Sequence, residues 1–179
     1  MSWWETKVNL SSVFLLKSLQ WSRAKYVDGM ARDTHYKLLL NGFYTNTKKC
    51  KFSDEEFFCK YCNHLDFLQT IPEDVFHVFY SCRWAKAMMS YIKPCLCRLA
   101  NCNDLDTFDV IFGKSLHDKR SNVSYNFVLQ LSQLAIWRSR ASFDRASPDH
   151  DVIKFFKSLI FSTLCRVRTT RIWTWGRQV

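Results

Sequence analysis

Apolar residues recur at helical spacing through most of the chain and predict a mainly α-helical protein. A first helix is predicted from about Asn9 to Tyr26, where an apolar stripe follows a serine pair that can cap it. A second is predicted after Thr34, and it breaks near Asn41 and Gly42. The polar run from Thr45 to Lys51 predicts a connection.

Start and stop signals mark the predicted helices of the middle of the chain. Thr70, Pro72 and Glu73 combine a capping box with a proline in the first turn, so a helix is predicted to begin there. Helical spacing resumes from Trp84 to Ile92, and Pro94 is predicted to end it. Residues 95–119 show no clear periodicity, and 101–106 read as a surface loop.

Two longer helices are predicted in the C-terminal part. The first places its apolar side chains and a basic end on successive turns: Phe127, Leu131, Leu134, Ala135 and Arg138. The second is capped by residues 147–149 and is predicted to direct one set of side chains into a core: Val152, Phe155, Phe156, Leu159 and Thr163. These two elements predict a C-terminal helical pair.

Four residues with metal-ligating side chains form the pattern Cys-x-x-Cys … His-x4-Cys, and they are Cys59, Cys62, His77 and Cys82. Two intervening residues allow both sulfurs of the first pair to reach one ion. A spacing of five turns His77 and Cys82 about 140° apart on an ideal helix, so the helix must loosen or end between them. A closed set of three thiolates and one imidazole predicts a structural Zn²⁺ site.

Two alternatives to this zinc site stay open on spacing alone. In the first, His77 is a satisfied histidine on an amphipathic helix and the cysteines are small buried apolar residues. In the second, other residues replace members of the set, and the competing ligands are Cys50, His64, Cys95, Cys97 and Cys102. His64 is the most plausible substitute, since it lies two residues from Cys62.

The fold class predicted from these patterns is mostly α, a small helical domain with a CCHC zinc-knuckle-like insertion and a C-terminal helical pair. Only four glycines and three prolines are present, which disfavours sandwiches and barrels with many tight turns. Three segments are predicted: an N-terminal helical segment, 1–50; a CCHC zinc-binding-like segment, 51–94; and a basic C-terminal helical segment, 95–179.

Basic residues outnumber acidic ones, and the surplus is concentrated near the C-terminus. The net charge is +10, and residues 121–179 carry nine basic and three acidic side chains. Such a surplus is typical of polyanion binders. The predicted phosphate contacts are Arg138, Arg140, Arg145, Arg166, Arg168 and Arg171, with Trp173 or Trp175 available for base stacking. A solvated basic face is the alternative for any single arginine.

The sequence predicts a reducing compartment. No stretch approaches the roughly 20 apolar residues of a membrane span, and Glu5 stands where a secretory signal would carry a basic residue. Eight cysteines in such a chain favour reduced thiols and metal ligation over disulfides. A nuclear or cytoplasmic location is therefore expected, without a membrane or a small-molecule substrate.

The residues from 35 to 92 resemble, in order, the C-terminal part of reverse transcriptases from non-LTR (LINE-type) retrotransposons. The likeness begins with His35–Leu40 and Tyr44-Thr45, continues with Cys59-x-x-Cys62, and includes Val75–Cys82, which is similar to an "E-H-x-F-x-x-C" element. A weaker likeness extends to Asn126–Arg140, which is similar to an "N-F-x-L … A-I-W-x-x-R" helix. The segment that it resembles is CCHC zinc-binding-like.

This resemblance implies a non-catalytic module that helps a polymerase hold its RNA template or target DNA. The chain has no adjacent Asp-Asp pair, which the two-metal site of a polymerase requires. Its C-terminal carboxylates, Asp144, Asp149 and Asp151, are better explained as loop and helix-start residues than as an endonuclease or RNase H set. We therefore expect no enzyme, with RNA, DNA and the remainder of a reverse transcriptase as partners.

Two other functions remain open. One is a protein-interaction or structural module whose aromatic residues, such as Trp3, Trp4, Trp173 and Trp175, dock on a larger polymerase. The other is a decayed transposon remnant without activity. A zinc-dependent nucleobase deaminase is disfavoured, because His77 is followed by Val78 and Phe79 instead of the x-Glu that this chemistry needs.

Overall fold

The computed structural model describes residues 29–49, 58–59, 62, 71–141 and 148–175. Within them the chain is mostly helical, as predicted. The α-helices are Gly29–Leu39 (α1), Asn46–Lys49 (α2), Arg83–Ala100 (α3), Thr107–Phe112 (α4), Lys119–Ala141 (α5) and Pro148–Trp175 (α6), and a π-helical turn spans His77–Ser81. The predicted helix from Asn9 to Tyr26 lies outside the described residues.

Helix α5 lies at the centre of the packing. Helices α1, α3 and α6 all contact it, and α3 also contacts α6. Every residue from 129 to 136 is buried, including the polar Gln130, Ser132 and Gln133. A helix that is buried on all sides needs neighbours on all sides, so α5 holds the other helices together.

Helix α3 contributes a regular apolar stripe to this core. Trp84, Met88, Ile92 and Leu96 are spaced by four residues and are each at most 2% exposed. Residues four apart lie one above the other on a helix, so the stripe forms a continuous contact surface. Deleting one of these side chains would leave a cavity that costs roughly 2–5 kcal/mol.

The C-terminal helical pair is present as predicted. Helix α6 begins at Pro148, at the predicted start. Val152, Phe156 and Thr163 are buried, whereas Phe155 and Leu159 are half-buried. One face of α6 therefore packs on α3 and α5, and the opposite face is exposed.

Several elements differ from the sequence-based prediction. Helix α1 begins at Gly29, before the predicted start after Thr34. Helix α3 continues through Pro94 to Ala100, because the buried Ile92 and Leu96 hold both sides of the proline against the core. The connection after Thr45 contains the short α2, and residues 107–112 form α4. The predicted loop 101–106 is present between α3 and α4.

The ends of α3 and α4 have local explanations. Asn101 adopts the left-handed conformation after α3, with φ 50° and ψ 49°, and asparagine tolerates this region better than most residues. The amides of Asn101 and Cys102 donate to Arg98 and Cys97 carbonyls, the pattern of a Schellman motif. At the start of α4, the Asp106 side chain accepts from the Asp109 amide.

None of the described helices combines the length and the apolar character that crossing a bilayer requires.

Candidate metal centre

The first two candidate ligands lie in a tight turn fixed by the chain that precedes the π-helical turn. The Cys59 amide donates to the Ile71 carbonyl at 2.9 Å, and the Cys62 amide donates to the Cys59 carbonyl at 3.2 Å. Phe58 forms an isolated antiparallel bridge with Pro72. These contacts place the two sulfurs next to the segment that carries the other two ligands.

His77 and Cys82 are joined by the π-helical turn, which confirms the prediction that the helix loosens between them. The Cys82 amide donates to the His77 carbonyl at 2.7 Å, a hydrogen bond that spans five residues in place of the four of an α-helix. Cys82 then takes an extended conformation with φ −62° and ψ 145°. The wider turn and the extended residue bring both side chains to one side.

The helix start differs from the predicted capping box at Thr70. The amide of His77 donates to the Asp74 side chain at 2.7 Å, so Asp74 caps the helical residues 75–76 that lead into the π-helical turn. Thr70 lies outside the described residues. The sequence signal that identifies the true cap is an aspartate three residues before the first ligand of the turn.

The four ligand atoms converge closely enough to hold one metal ion. The sulfurs of Cys59, Cys62 and Cys82 and one ring nitrogen of His77 all lie within 4.8 Å of one another. Cys62 Sγ is 3.9 Å from Cys82 Sγ and 3.4 Å from His77 Nε2. Tetrahedral zinc with its usual bond lengths separates two sulfurs by about 3.8 Å and a sulfur and a nitrogen by about 3.6 Å. The four residues could therefore hold one metal ion.

Three of the four candidate ligands are buried. Cys59 and Cys82 are 0% exposed and His77 is 4% exposed, and Cys62 is half-buried. Ser81 Oγ lies 3.4 Å from His77 Nδ1, so a hydrogen on Nδ1 has an acceptor while Nε2 faces the sulfurs. Such a second partner fixes the tautomer and orientation of a metal-binding histidine.

The surroundings of the cluster shift the pKa values of Cys62 and Cys82 in opposite directions. Hydrogen bonds from Cys59 and Cys82 hold the pKa of the Cys62 thiol at about 2, and the Arg140 charge acts in the same direction. Hydrogen bonds with Cys59 and Cys62 and the burial of its own sulfur raise the pKa of Cys82. A cation entering the cluster would meet a thiolate at Cys62 and would displace the proton that Cys82 holds.

Arg140 lies beside the cluster, and its position differs from that of a surface phosphate contact. Its side chain is 8% exposed and forms an ion pair with Glu73, which is 7% exposed. The Nη1 group of Arg140 donates to Cys82 Sγ at 3.6 Å. Because this guanidinium is buried and engaged, it is not available to a phosphate group in this structure.

The other predicted phosphate contacts are distributed along α5 and α6. Arg138 is half-buried and its guanidinium contacts the sulfur of Met30, and Arg166 is exposed. Arg168, Arg171, Trp173 and Trp175 belong to the last turns of α6. Arg145 lies outside the described residues.

The competing metal ligands do not join the cluster where the structure describes them. Cys95 is exposed on α3, and Cys97 and Cys102 are half-buried at the end of that helix. Among the described residues, the Cys59, Cys62, His77 and Cys82 group is the one in which three or more metal-binding side chains converge. Cys50 and His64 lie outside the described residues.

A second feature lies on the outer side of α3 and α6, and we call it the basic–aromatic face: Tyr91, Lys154, Lys157 and Phe161. The three α6 residues are spaced by three and four and share one side of the helix. Tyr91 is 43% exposed and Phe161 is 71% exposed. Lys157 Nζ lies 5.3 Å above the Tyr91 ring, within the range of a cation–π contact.

Sequence reasoning missed this face because it takes one residue from α3 and three from α6. The only local signal is an exposed phenylalanine between lysines on a helix. Comparison of the chain with models of protein families, with curated proteins and with solved structures found no significant match.

Proposed function

We propose that this chain is a non-catalytic nucleic-acid-binding module, stabilised by a structural Zn²⁺ ion, from the C-terminal part of a retrotransposon reverse transcriptase. The convergence of four ligand atoms within 4.8 Å carries the proposal for the metal. The family assignment is supported by the order of the residues from His35 to Ile92. The nucleic-acid proposal is supported by the net charge of +10 and by the basic–aromatic face.

Zinc suits this donor set better than other common metals. Soft thiolate ligands in a tetrahedral arrangement select zinc or iron–sulfur chemistry, whereas magnesium and calcium prefer oxygen ligands. A fourth protein ligand takes the position that a catalytic zinc leaves for water. Three cysteines and one histidine would therefore hold the ion for structure and not for hydrolysis.

The metal proposal is tested by the zinc content of the purified chain. We expect about one zinc per chain, because the four ligands form one site. Cys59→Ser and His77→Ala should each lose it, and Cys95→Ser is the matched control because Cys95 is exposed and remote from the cluster. Zinc that persists in both ligand variants, or is absent from the wild-type chain, would contradict the assignment.

The basic–aromatic face offers the two kinds of contact that single-stranded nucleic acid uses. Lysine ammonium groups neutralise phosphates, and exposed aromatic rings stack on bases. Lys154 and Lys157 supply the charges, and Phe161 supplies a ring that is 71% exposed. Both contacts tolerate any base sequence, so broad binding of single-stranded RNA or DNA is expected.

Salt titration of binding to RNA and DNA oligonucleotides tests this face. The Lys154→Gln/Lys157→Gln variant should weaken binding and flatten the log–log salt slope by about 1.4, since each phosphate contact on a single strand contributes about 0.7. Phe161→Ala should weaken binding while leaving the slope unchanged, because stacking releases no counterions. The control is Lys119→Gln/Arg120→Gln, which removes the same charge from the exposed start of α5.

Three results separate nucleic-acid binding from the other functions. Binding that does not respond to salt, or that falls equally in the control, contradicts the proposed face. The runner-up is a protein-interaction module, which is favoured by the exposure of Leu40, Tyr44, Phe161 and Leu164, each more than half exposed. A defined dimer in sedimentation, disrupted by Phe161→Ala and without nucleic-acid affinity, would favour that second function.

A further inference from the structure

A buried guanidinium connects the metal cluster to the main helical core. Arg140 is the next-to-last residue of α5, and its ion-pair partner Glu73 belongs to the segment between the Cys-x-x-Cys turn and the π-helical turn. The same guanidinium reaches Cys82 Sγ at 3.6 Å. One side chain thus contacts a metal ligand and a carboxylate on the chain that carries the ligands.

Glu73 is itself held in place. Its carbonyl accepts hydrogen bonds from the Thr47 hydroxyl at 3.0 Å and the Thr47 amide at 3.3 Å. Its carboxylate accepts from the Asn46 amide at 3.4 Å. The start of α2 therefore fixes the carboxylate that in turn orients Arg140, and the guanidinium has little freedom to leave the sulfur.

The net charge of the zinc-loaded site gives a physical reason for a cation beside the cluster. Zinc with three thiolates and a neutral imidazole carries one net negative charge, and three of the four ligands, Cys59, His77 and Cys82, are buried. Among the described residues, Arg140 is the cation that acts on both Glu73 and Cys82. Its removal would leave buried negative charges facing each other, and an unpaired buried charge is strongly destabilising. A guanidinium has a planar fork of donors and can serve two anions at once, whereas a lysine ammonium is a single point charge.

We propose that Arg140 is the positioning residue of the metal centre, an inference that rests on the zinc site proposed above. When the ion binds, the contact between Arg140 and Cys82 anchors the C-terminal end of helix α5 to the metal centre. Hydrogen bonds to a ligand sulfur set its orientation and its electron density. The sulfur that Arg140 contacts is attached to the residue where the π-helical turn ends. Loading the ion therefore fixes the π-helical turn and the α5 end together.

The first experiment compares metal binding by the wild-type chain, Arg140→Lys and Arg120→Lys. Arg120 lies in the same helix but is exposed at its other end, so it controls for the chemical change. Loss of an outer contact of this kind weakens metal affinity about 10- to 100-fold, and we expect this for Arg140→Lys alone. With cobalt(II) in place of zinc, the sulfur-to-metal absorption band should move to longer wavelength, because a thiolate without its donor is richer in electrons.

The second experiment uses the wild-type chain and remains informative if Arg140→Lys does not fold. Amide hydrogen exchange is followed with and without zinc in two peptides of α5, residues 119–126 and 134–141. We expect added protection in 134–141, which contains Arg140, and little change in 119–126. Equal protection of both peptides, or of neither, overturns the anchoring.

The outcomes distinguish the inference from the proposed function. A wild-type chain that binds no zinc or cobalt overturns both. Metal bound by the wild type and by Arg140→Lys with the same affinity and the same absorption band overturns the role of Arg140 and leaves the zinc site standing. A structural role without metal positioning would lower the melting temperature of Arg140→Lys but would leave the band of the loaded chain in place.

Discussion

Acidification should weaken the fold through one buried histidine outside the metal cluster. His35 on α1 is 1% exposed. Its Nδ1 lies 2.7 Å from Gln133 Oε1 on α5, and Gln133 Nε2 donates to the Ile111 carbonyl of α4 at 2.8 Å. The other ring nitrogen of His35, Nε2, has no hydrogen-bond partner in the described part of the chain. A proton added there would be buried without an acceptor.

The size of this effect follows from the pKa of His35. Burial lowers this pKa from 6.5 to about 4, and the Gln133 hydrogen bond opposes the shift only in part. Each pKa unit corresponds to about 1.4 kcal/mol, so full protonation favours the unfolded chain by about 3 kcal/mol. This is a large fraction of the roughly 5–15 kcal/mol that stabilises a typical domain.

The sign and the pH window are determined by the two pKa values. Above pH 6.5 the imidazole is neutral in both states, so its contribution is fully present. As the pH falls from 6.5 towards 4, the unfolded chain takes up a proton that the folded chain resists, and stability is lost. Below about 4 both states are protonated and the loss stops growing. By pH 5 the loss should reach about 2 kcal/mol.

Urea unfolding at pH 7.5 and pH 5 measures this loss in the wild-type chain, His35→Gln and His117→Gln. Glutamine retains a donor for Gln133 but does not titrate, so His35→Gln should lose about 2 kcal/mol less than the wild type over this interval. His117 is exposed, and His117→Gln should follow the wild type. Proton uptake by the cysteine cluster is common to all three chains and cancels in the comparison. Equal losses in the wild type and His35→Gln would refute the reasoning.

Two further predictions concern leucines in and next to α1 and the asparagine that ends α3. Leu38→Ala should lower the free energy of unfolding by about 2–5 kcal/mol, because Leu38 is 0% exposed and its removal leaves a cavity. Leu40→Ala, two residues away and 54% exposed, should change it by less than about 1 kcal/mol. At the left-handed end of α3, Asn101→Gly should be close to neutral, whereas Asn101→Val should cost about 1–2 kcal/mol. Urea midpoints measure all four, and an equal cost for both members of either pair would contradict the assigned environments.

Local patterns in the sequence were sufficient for the helical class and for much of the core. The spacing of Val152 and Phe156 predicted the buried face of α6, and both are buried. The predicted helix end at Pro94 was wrong. A proline is a local stop signal, whereas the contacts of Ile92 and Leu96 that carry α3 past it are tertiary. Helix propensity is a weak prior that packing often overrides.

The two arginines at the end of α5 show more clearly that local sequence does not reveal tertiary contacts. Arg138 and Arg140 stand two apart at the basic end of one predicted helix, and sequence alone treats both as surface charges. Their environments differ because Arg140 meets a carboxylate 67 residues away. Neither the partner nor the burial has a signal within the helix itself, so the difference between the half-buried Arg138 and the buried, ion-paired Arg140 became visible only in the fold.

The ligand spacing, in contrast, predicted a detail that propensity rules do not contain. Four atoms that bind one ion must lie within a few ångströms of each other, and this condition is stricter than any preference of the backbone. A spacing of five on an α-helix violates it, so the helix was predicted to loosen or end between His77 and Cys82, and the π-helical turn between them provides this change. Such turns are rare in proteins, and those that occur often lie at functional sites. Its position between two candidate ligands, with Ser81 and Arg140 contacting those ligands, supports a metal-binding role over the reading of buried cysteines beside a satisfied histidine.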